Sequence, residues 1–205
     1  MIDMIEMMLN FFVTGGWVMY PLLFLSILSV TLILERALYW LTPARRSGIR
    51  KLKQYAPLLD LGDTQRALTL SSNDHSLEGV LVRSTISSSS SASESLAFAH
   101  IEVLRPSVDR FATTLATIIA VSPLLGILGT VTGIIQSFDL LGDAATVSDP
   151  TIVAGGIAEA LYTTAFGLTI ALVTIFPHMY FRAKAEQTLS RLETLASMFK
   201  GTKNA

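Results

Sequence analysis

The apolar run from Ile152 to Phe181 holds one acidic side chain, Glu159, and no lysine or arginine. Thr163 lies four residues further on, near the same helical face, whereas Thr164, five residues on, is displaced from the Glu159 face by about 140° on an ideal helix. An ionised carboxylate at mid-bilayer costs about 2.5 to 3.5 kcal/mol on insertion scales, so such acids normally face a cavity or a partner. In a low-dielectric layer a carboxyl holds its proton more readily than in water, and hydroxyls can hold water beside it. The run carries no nucleophile, electron carrier or second catalytic carboxylate. The chemistry left to one Glu and several Thr is proton transfer across a membrane, driven by about 2.3 kcal/mol per charge for each 100 mV. Each threonine taken singly would be expected only to bond back to a carbonyl of its own helix. Glu159 could also be part of a ragged, interfacial helix start after Pro150, but its depth argues otherwise. With the turn at residues 140–150, it lies about eight residues, or roughly 12 Å, below the surface. Counting back equally from Phe138 reaches Thr130, so Thr130 is expected at the same depth as Glu159.

The elements that carry these residues are apolar helices. Of 205 residues 51% are hydrophobic and only 15% charged, far below the usual quarter. Three long apolar runs could not each be buried inside so small a chain, which disfavours a soluble helical enzyme. The runs, about Gly16 to Leu34, Phe111 to Phe138 and Ile152 to Phe181, are each long enough to cross a bilayer. The first has Asp3 and Glu6 before it, no base, and no small-residue cleavage site after it, so it reads as a retained span and not a signal peptide. All 15 lysines and arginines fall in Arg36–Arg110 and Arg182–Lys203, whereas the connection from Asp139 to Asp149 has three aspartates and no base. The positive-inside rule then places the N-terminus and that connection outside and the C-terminus inside. Cysteine is absent, and His75, His100 and His178 are scattered, so no disulfide, thiolate chemistry or metal site is expected.

The expected fold is therefore an all-α integral membrane protein with three transmembrane helices, N-out and C-in. An outer interfacial helix occupies residues 1–15, the spans 16–41, 111–138 and 152–181, a cytoplasmic helical segment 42–110, a short outer loop 139–151, and a cytoplasmic tail 182–205. Trp17, Tyr20, Tyr39 and Trp40 read as interfacial anchors, and Glu35 with Arg36 as a snorkelling, solvated charge pair. The bases Arg45, Arg46, Arg50, Lys51 and Lys53 suit the inner headgroup surface and show no nucleic-acid pattern. The serine run Ser87–Ser91 fits either a flexible link or a packed surface. Leu96, Ile101, Leu104, Val108 and Phe111 share a helical face, so a helix is expected to run from Ser93 into the second span with a bend at Pro106. Unbroken to Phe138, it would be roughly 70 Å long, about twice the hydrocarbon thickness, and would project into the cytoplasm. Within that span Pro123 can kink the helix, and Gly126, Gly129 and Gly133 offer small surfaces for close packing, the last two as a GxxxG pair.

"SPLLGILGTVTGIIQSF" followed by "GGIAEALYTTAFGLTIAL" resembles the paired signature of the MotA/TolQ/ExbB proton-channel family and is most like its ExbB branch. The likeness covers the three spans, the basic segment and the acidic outer connection. It implies a pentameric ring in the bacterial inner (cytoplasmic) membrane around a dimer of single-span ExbD-type partners, with the outer loop in the periplasm. A membrane aspartate of the partner would exchange protons, and the resulting movement would pass to a TonB-type protein. Carried over by position, Glu159 matches the third-span glutamate, Thr130 the threonine in "GTV" and Thr164 the threonine after the glutamate, all lining the path. Thr163 stands where ExbB often has alanine and either adds to the track or is tolerated. No enzymatic activity, cofactor or nucleic-acid partner is implied. A TolQ-type subunit of the Tol-Pal envelope system shares the three-span plan, while MotA-type stators add a fourth span. A passive scaffold would use Glu159 only to dock a partner helix. A small solute transporter would show inverted repeats, and none is present.

Overall fold

The computed structural model describes residues 16–42, 48–88, 93–143 and 150–199. The helices are α1 (Met19–Leu41), α2 (Gly48–Asp60), α3 (Thr64–Ser71), α4 (Leu77–Ser87), α5 (Glu94–Val108), α6 (Ala112–Asp143) and α7 (Pro150–Ser197), with no strand among the described residues. The expected helix over residues 1–15, Arg45 and Arg46, Ser89–Ser91 of the serine run, residues 144–149 and the tail from Lys200 lie outside the described residues, as does the side chain of Glu159. The chain divides into two compact units.

The first unit takes the described part of Met1–Ile33 with Thr113–His178, and so contains the start of α1, α6 and the first part of α7. Its helices are long and apolar enough to cross a membrane, yet only 22%, 22% and 28% of their most apolar windows are buried. Phe24, Ile27, Leu124, Leu172 and Phe176 are among the large side chains left exposed. A water-soluble unit could not leave so much apolar surface open, whereas lipid is the solvent that suits it. Helices are also what lipid demands, because they bond their own backbone groups internally. The polar side chains follow the same rule. Ser29 Oγ and Thr174 Oγ1 meet at 2.6 Å between α1 and α7, and Ser122 Oγ donates to the Ile118 carbonyl at 2.6 Å.

The second unit, Leu34–Ala112 with the described part of Met179–Ala205, is built as soluble proteins are. Tyr55, Leu81, Ile101, Leu192 and Leu195 form its buried core, drawn from α2, α4, α5 and the end of α7. Side-chain caps start three of its helices. Asp63 accepts from Arg66 N–H, Ser76 from Gly79 N–H and Ser93 from Leu96 N–H, each satisfying a donor that the first helical turn leaves open. The turn from α2 into α3 uses Gly62 at φ 73°, a conformation that costs glycine little.

At the centre of this unit Asp74 is held from three sides. Lys51 Nζ lies 2.8 Å from Oδ2, Tyr55 Oη donates to Oδ2 at 2.7 Å, and Ser76 N–H donates to Oδ1 at 2.9 Å. Burial pushes the carboxyl up, but the hydrogen bonds from Lys51, Ser76 and Tyr55 outweigh it and hold the group at about 2. Burial, followed by the bond to Asp74, pushes the Tyr55 hydroxyl upward. The folded carboxyl thus sits below its ordinary value of 3.8. The stability it contributes is fully present above that ordinary value and disappears as pH falls from there through about 2. Asp74→Asn is therefore expected to cost about 2 kcal/mol at neutral pH, and urea unfolding followed between pH 6 and 2 should show the gap from wild type closing. A pH-independent gap would mean that Asp74 does not act through its charge.

Two features differ from expectation. Arg36 is not a solvated partner of Glu35: its side chain is 3% exposed. It donates to Glu35 at 2.7 Å and to the carbonyls of Ser107 and Val108, each at 3.4 Å, and its guanidinium lies 4.4 Å from the Tyr39 ring centroid. The last carbonyls of a helix have no partner of their own, and a cation there also suits the helix dipole. Nor does one helix run from Ser93 through the second span. Pro106 is accommodated inside α5, and the helix ends two residues later, at Val108, followed by a break at Asp109–Phe111 with Phe111 at φ 64°. The end of α5 is where Arg36 bonds. At the other end of the chain, the segment after Phe181 continues as helix, so α7 spans 48 residues.

Candidate functional site

The site is the face along which α6 and α7 meet. On α6, Ser122, Gly126, Gly129, Gly133 and Ser137 recur every three or four residues; on α7, Gly156, Ala160, Thr163 and Gly167 do the same. This spacing puts small side chains on one stripe of each helix and lets the backbones close. A Cβ on Gly126 would come within 2.9 Å of Thr164 Cα, and one on Gly133 within 2.9 Å of Ala160 Cβ. At Gly129 it would run into the Thr163 side chain, at Gly156 into Ser137 Oγ, and at Gly167 into the carbonyl oxygen of Ser122. α6 continues as helix through Pro123, just before Gly126.

The close approach brings hydroxyls onto one carbonyl. Thr164 Oγ1 donates to the Gly126 oxygen at 2.9 Å. Thr163 Oγ1 lies 3.2 Å from the same oxygen and 2.7 Å from the Ala160 carbonyl. A hydroxyl has one proton to give, so Thr163 holds chiefly to its own helix and Thr164 bridges to α6. The roughly 100° between adjacent residues on an ideal helix is no obstacle: their side chains straddle the line of contact, and one partner carbonyl serves both. Thr163 is buried and Thr164 partly so. Each hydroxyl oxygen keeps acceptor capacity, and Thr164, the less buried of the two, is the one open to a further hydrogen bond.

Thr130 stands apart from this cluster. Its hydroxyl donates to the Ile127 carbonyl at 2.6 Å, on its own helix. Gly126 faces Thr163 and Thr164, and Gly133 faces Ala160; carried along the hairpin, the first contact sets Thr130 within about one residue of the Glu159 level and the second sets it about four residues, or ~6 Å, away. α6 does not end at Phe138 but continues to Asp143. Glu159 itself lies within α7, immediately before Ala160. The stripe residues Ser122, Ser137, Gly156 and Gly167 were not singled out from the sequence. Their signal was available as the three-to-four spacing of small residues on both helices, continuous with the GxxxG pair.

Three apolar helices with a hydroxyl-lined, glycine-packed hairpin define a multi-pass membrane protein. The chain belongs to the MotA/TolQ/ExbB proton channel family, whose model matches residues 74–194, a range that includes all of α6 and nearly all of α7. It is 35% identical over 176 residues to the biopolymer transport protein named ExbB-like 3 of Synechocystis sp., covering 82% of this chain and 82% of that one. It is 44% identical over 87 residues to the Tol-Pal system protein TolQ of Pseudomonas aeruginosa, covering 42% of this chain and 36% of TolQ. With the biopolymer transport protein ExbB of Salmonella typhimurium the identity is 50% over 62 residues, 30% of this chain and 25% of that protein.

Proposed function

We propose that this protein is the proton-channel subunit of a membrane motor. It uses the proton motive force, together with a single-span ExbD-type partner, to energise TonB-dependent transport across the outer membrane. The observation that carries this reading is the family match over residues 74–194, within which Glu159 is the acid inside the apolar α7 run, next to the Thr163 and Thr164 cluster. In this reading the chain sits in the inner membrane, N-out and C-in, and five copies surround two partner helices. The spans are residues 16–41, 111–138 and 152–181; segments 42–110 and 182–205 are cytoplasmic. Protons pass between Glu159 and the partner's carboxylate, with Thr164, Thr163 and, a turn away, Thr130 along the route. The identity with TolQ supports a second reading in which the same motor serves the Tol-Pal system. Both readings share the site and differ only in the partner proteins that receive the work.

The test is reconstitution. The chain co-purified with an ExbD-type protein should show a native mass of five copies plus two partners. In vesicles it should admit protons, followed with an entrapped pH dye, under an imposed gradient. A complex of that composition that passes no protons under load or without it would leave only the passive-scaffold role.

A further inference from the structure

A cavity of about 900 Å³ opens in the second unit between the end of α1, the start of α2 and α7 beyond its apolar stretch. One side is apolar and aromatic, with Trp40 and Leu41 from α1 and Tyr180 and Phe181 from α7. The other side carries Arg50 and Lys53 from α2 and Lys184 and Arg191 from α7, and among the described residues no acidic side chain lines the cavity. Arg191 is occupied, 3.4 Å from Glu78 and 2.9 Å from Thr188 Oγ1. Arg50, Lys53 and Lys184 have no ion pair among the described residues, and the Lys184 ammonium lies 5.6 Å from the Tyr180 ring centroid. The indole N–H of Trp40 is buried without an acceptor among the described residues.

Like charges gathered in one cavity repel, and an anion relieves them. The order of the lining along α7 says what kind of anion. Tyr180 and Phe181 end the apolar run, and Lys184, Thr188 and Arg191 follow, so the wall passes from apolar to cationic over roughly 16 Å of helix. That is the layering of an amphiphile lying at a membrane boundary, apolar chain on one side and charged head on the other. We propose that this cavity binds an anionic phospholipid, its phosphate diester among Arg50, Lys53 and Lys184 and its acyl chains against Trp40, Tyr180 and Phe181. The inference rests on membrane insertion and is independent of proton conduction, so either can fail alone.

The chain has two tryptophans, Trp17 and Trp40, and in a Trp17→Phe background only Trp40 reports. The full-length protein is placed in phosphatidylcholine vesicles containing a minor fraction of phosphatidylglycerol, with one lipid or the other brominated on its chains. Brominated phosphatidylglycerol should quench Trp40 out of proportion to its mole fraction. Changing Arg50, Lys53 and Lys184 to Gln should weaken that preference by roughly fivefold for each base removed. Lys53→Arg with Lys184→Arg should retain it, and Arg182→Gln, on the same helix but outside the cavity, should leave it unchanged. Soluble glycerol phosphate should not compete; displacement by it would mean that the cavity recognises free phosphate and would overturn the lipid assignment. Equal quenching by both lipids, as when a second copy of the chain fills the cavity, or an equal effect of Arg182→Gln, would also overturn it.

Discussion

Glu159→Gln should abolish proton-dependent work while leaving the complex assembled. Glutamine keeps the length and hydrogen-bonding shape of glutamic acid but has no proton to exchange. It also removes a group that is expensive to ionise in lipid, by about 2.5 to 3.5 kcal/mol at mid-bilayer, so stability and assembly should hold or rise slightly. Uptake through a TonB-dependent outer-membrane receptor should fall to the level of a strain lacking the protein, with the native mass unchanged. Glu159→Ala should fail equally. Thr164→Val keeps the side-chain volume but removes the bond to the Gly126 carbonyl, worth about 0.6 kcal/mol for a typical hydrogen bond between membrane helices, and should impair the motor only in part. Thr130→Val should be milder still, because that hydroxyl bonds only its own helix among the described residues. Normal uptake with Glu159→Gln would reduce the acid to a docking group and leave the scaffold reading.

Glu159 was visible in the sequence because it breaks a rule: lone acids do not sit in long apolar runs without a reason. The spans were visible because lipid solvation acts on composition, which needs no knowledge of partners. Arg36 was misjudged on the same reasoning, since an arginine at the end of an apolar helix ordinarily reaches for water. Its burial depends on the end of α5, at Ser107 and Val108, arriving beside it, and nothing local announces a contact across 72 residues. The Lys51, Tyr55 and Asp74 group has the same character, each member unremarkable until α2 and the turn before α4 come together. Where α6 ends was less legible. Reading from hydropathy assumes that both helices end where hydropathy falls, whereas α6 stays helical to Asp143, past the polar Asp139. Helix ends follow capping and propensity, and membrane boundaries follow polarity, so the two need not coincide.

Adding one methyl group at Gly167 should do more damage than adding one at Gly155, although both are glycines of the same helix. A Cβ on Gly155 meets nothing within 4 Å, and exchanging glycine for alanine inside a helix favours the helix by up to about 1 kcal/mol. A Cβ on Gly167 would drive into the Ser122 carbonyl oxygen and come within 3.2 Å of Gly126 Cα. Both obstacles are backbone, so no side-chain rotation can make room, and α6 and α7 must separate. Separation at Gly167 also pulls on the Thr164 to Gly126 bond one turn away. Gly167→Ala should therefore lose about 3 kcal/mol, at the upper end for overpacking, together with most transport activity. Gly155→Ala should stay within about 1 kcal/mol of wild type. Unfolding of the purified full-length protein in mixed detergent measures both. Gly129→Ala gives an intermediate case, since its obstacle is the Thr163 side chain. Thr163→Gly in the same chain should then recover part of the loss, whereas no side-chain change on α6 should rescue Gly167→Ala. Equal stability of the Gly167 and Gly155 variants would mean that the hairpin does not close along this stripe, and the hydroxyl cluster at Gly126 would lose its basis.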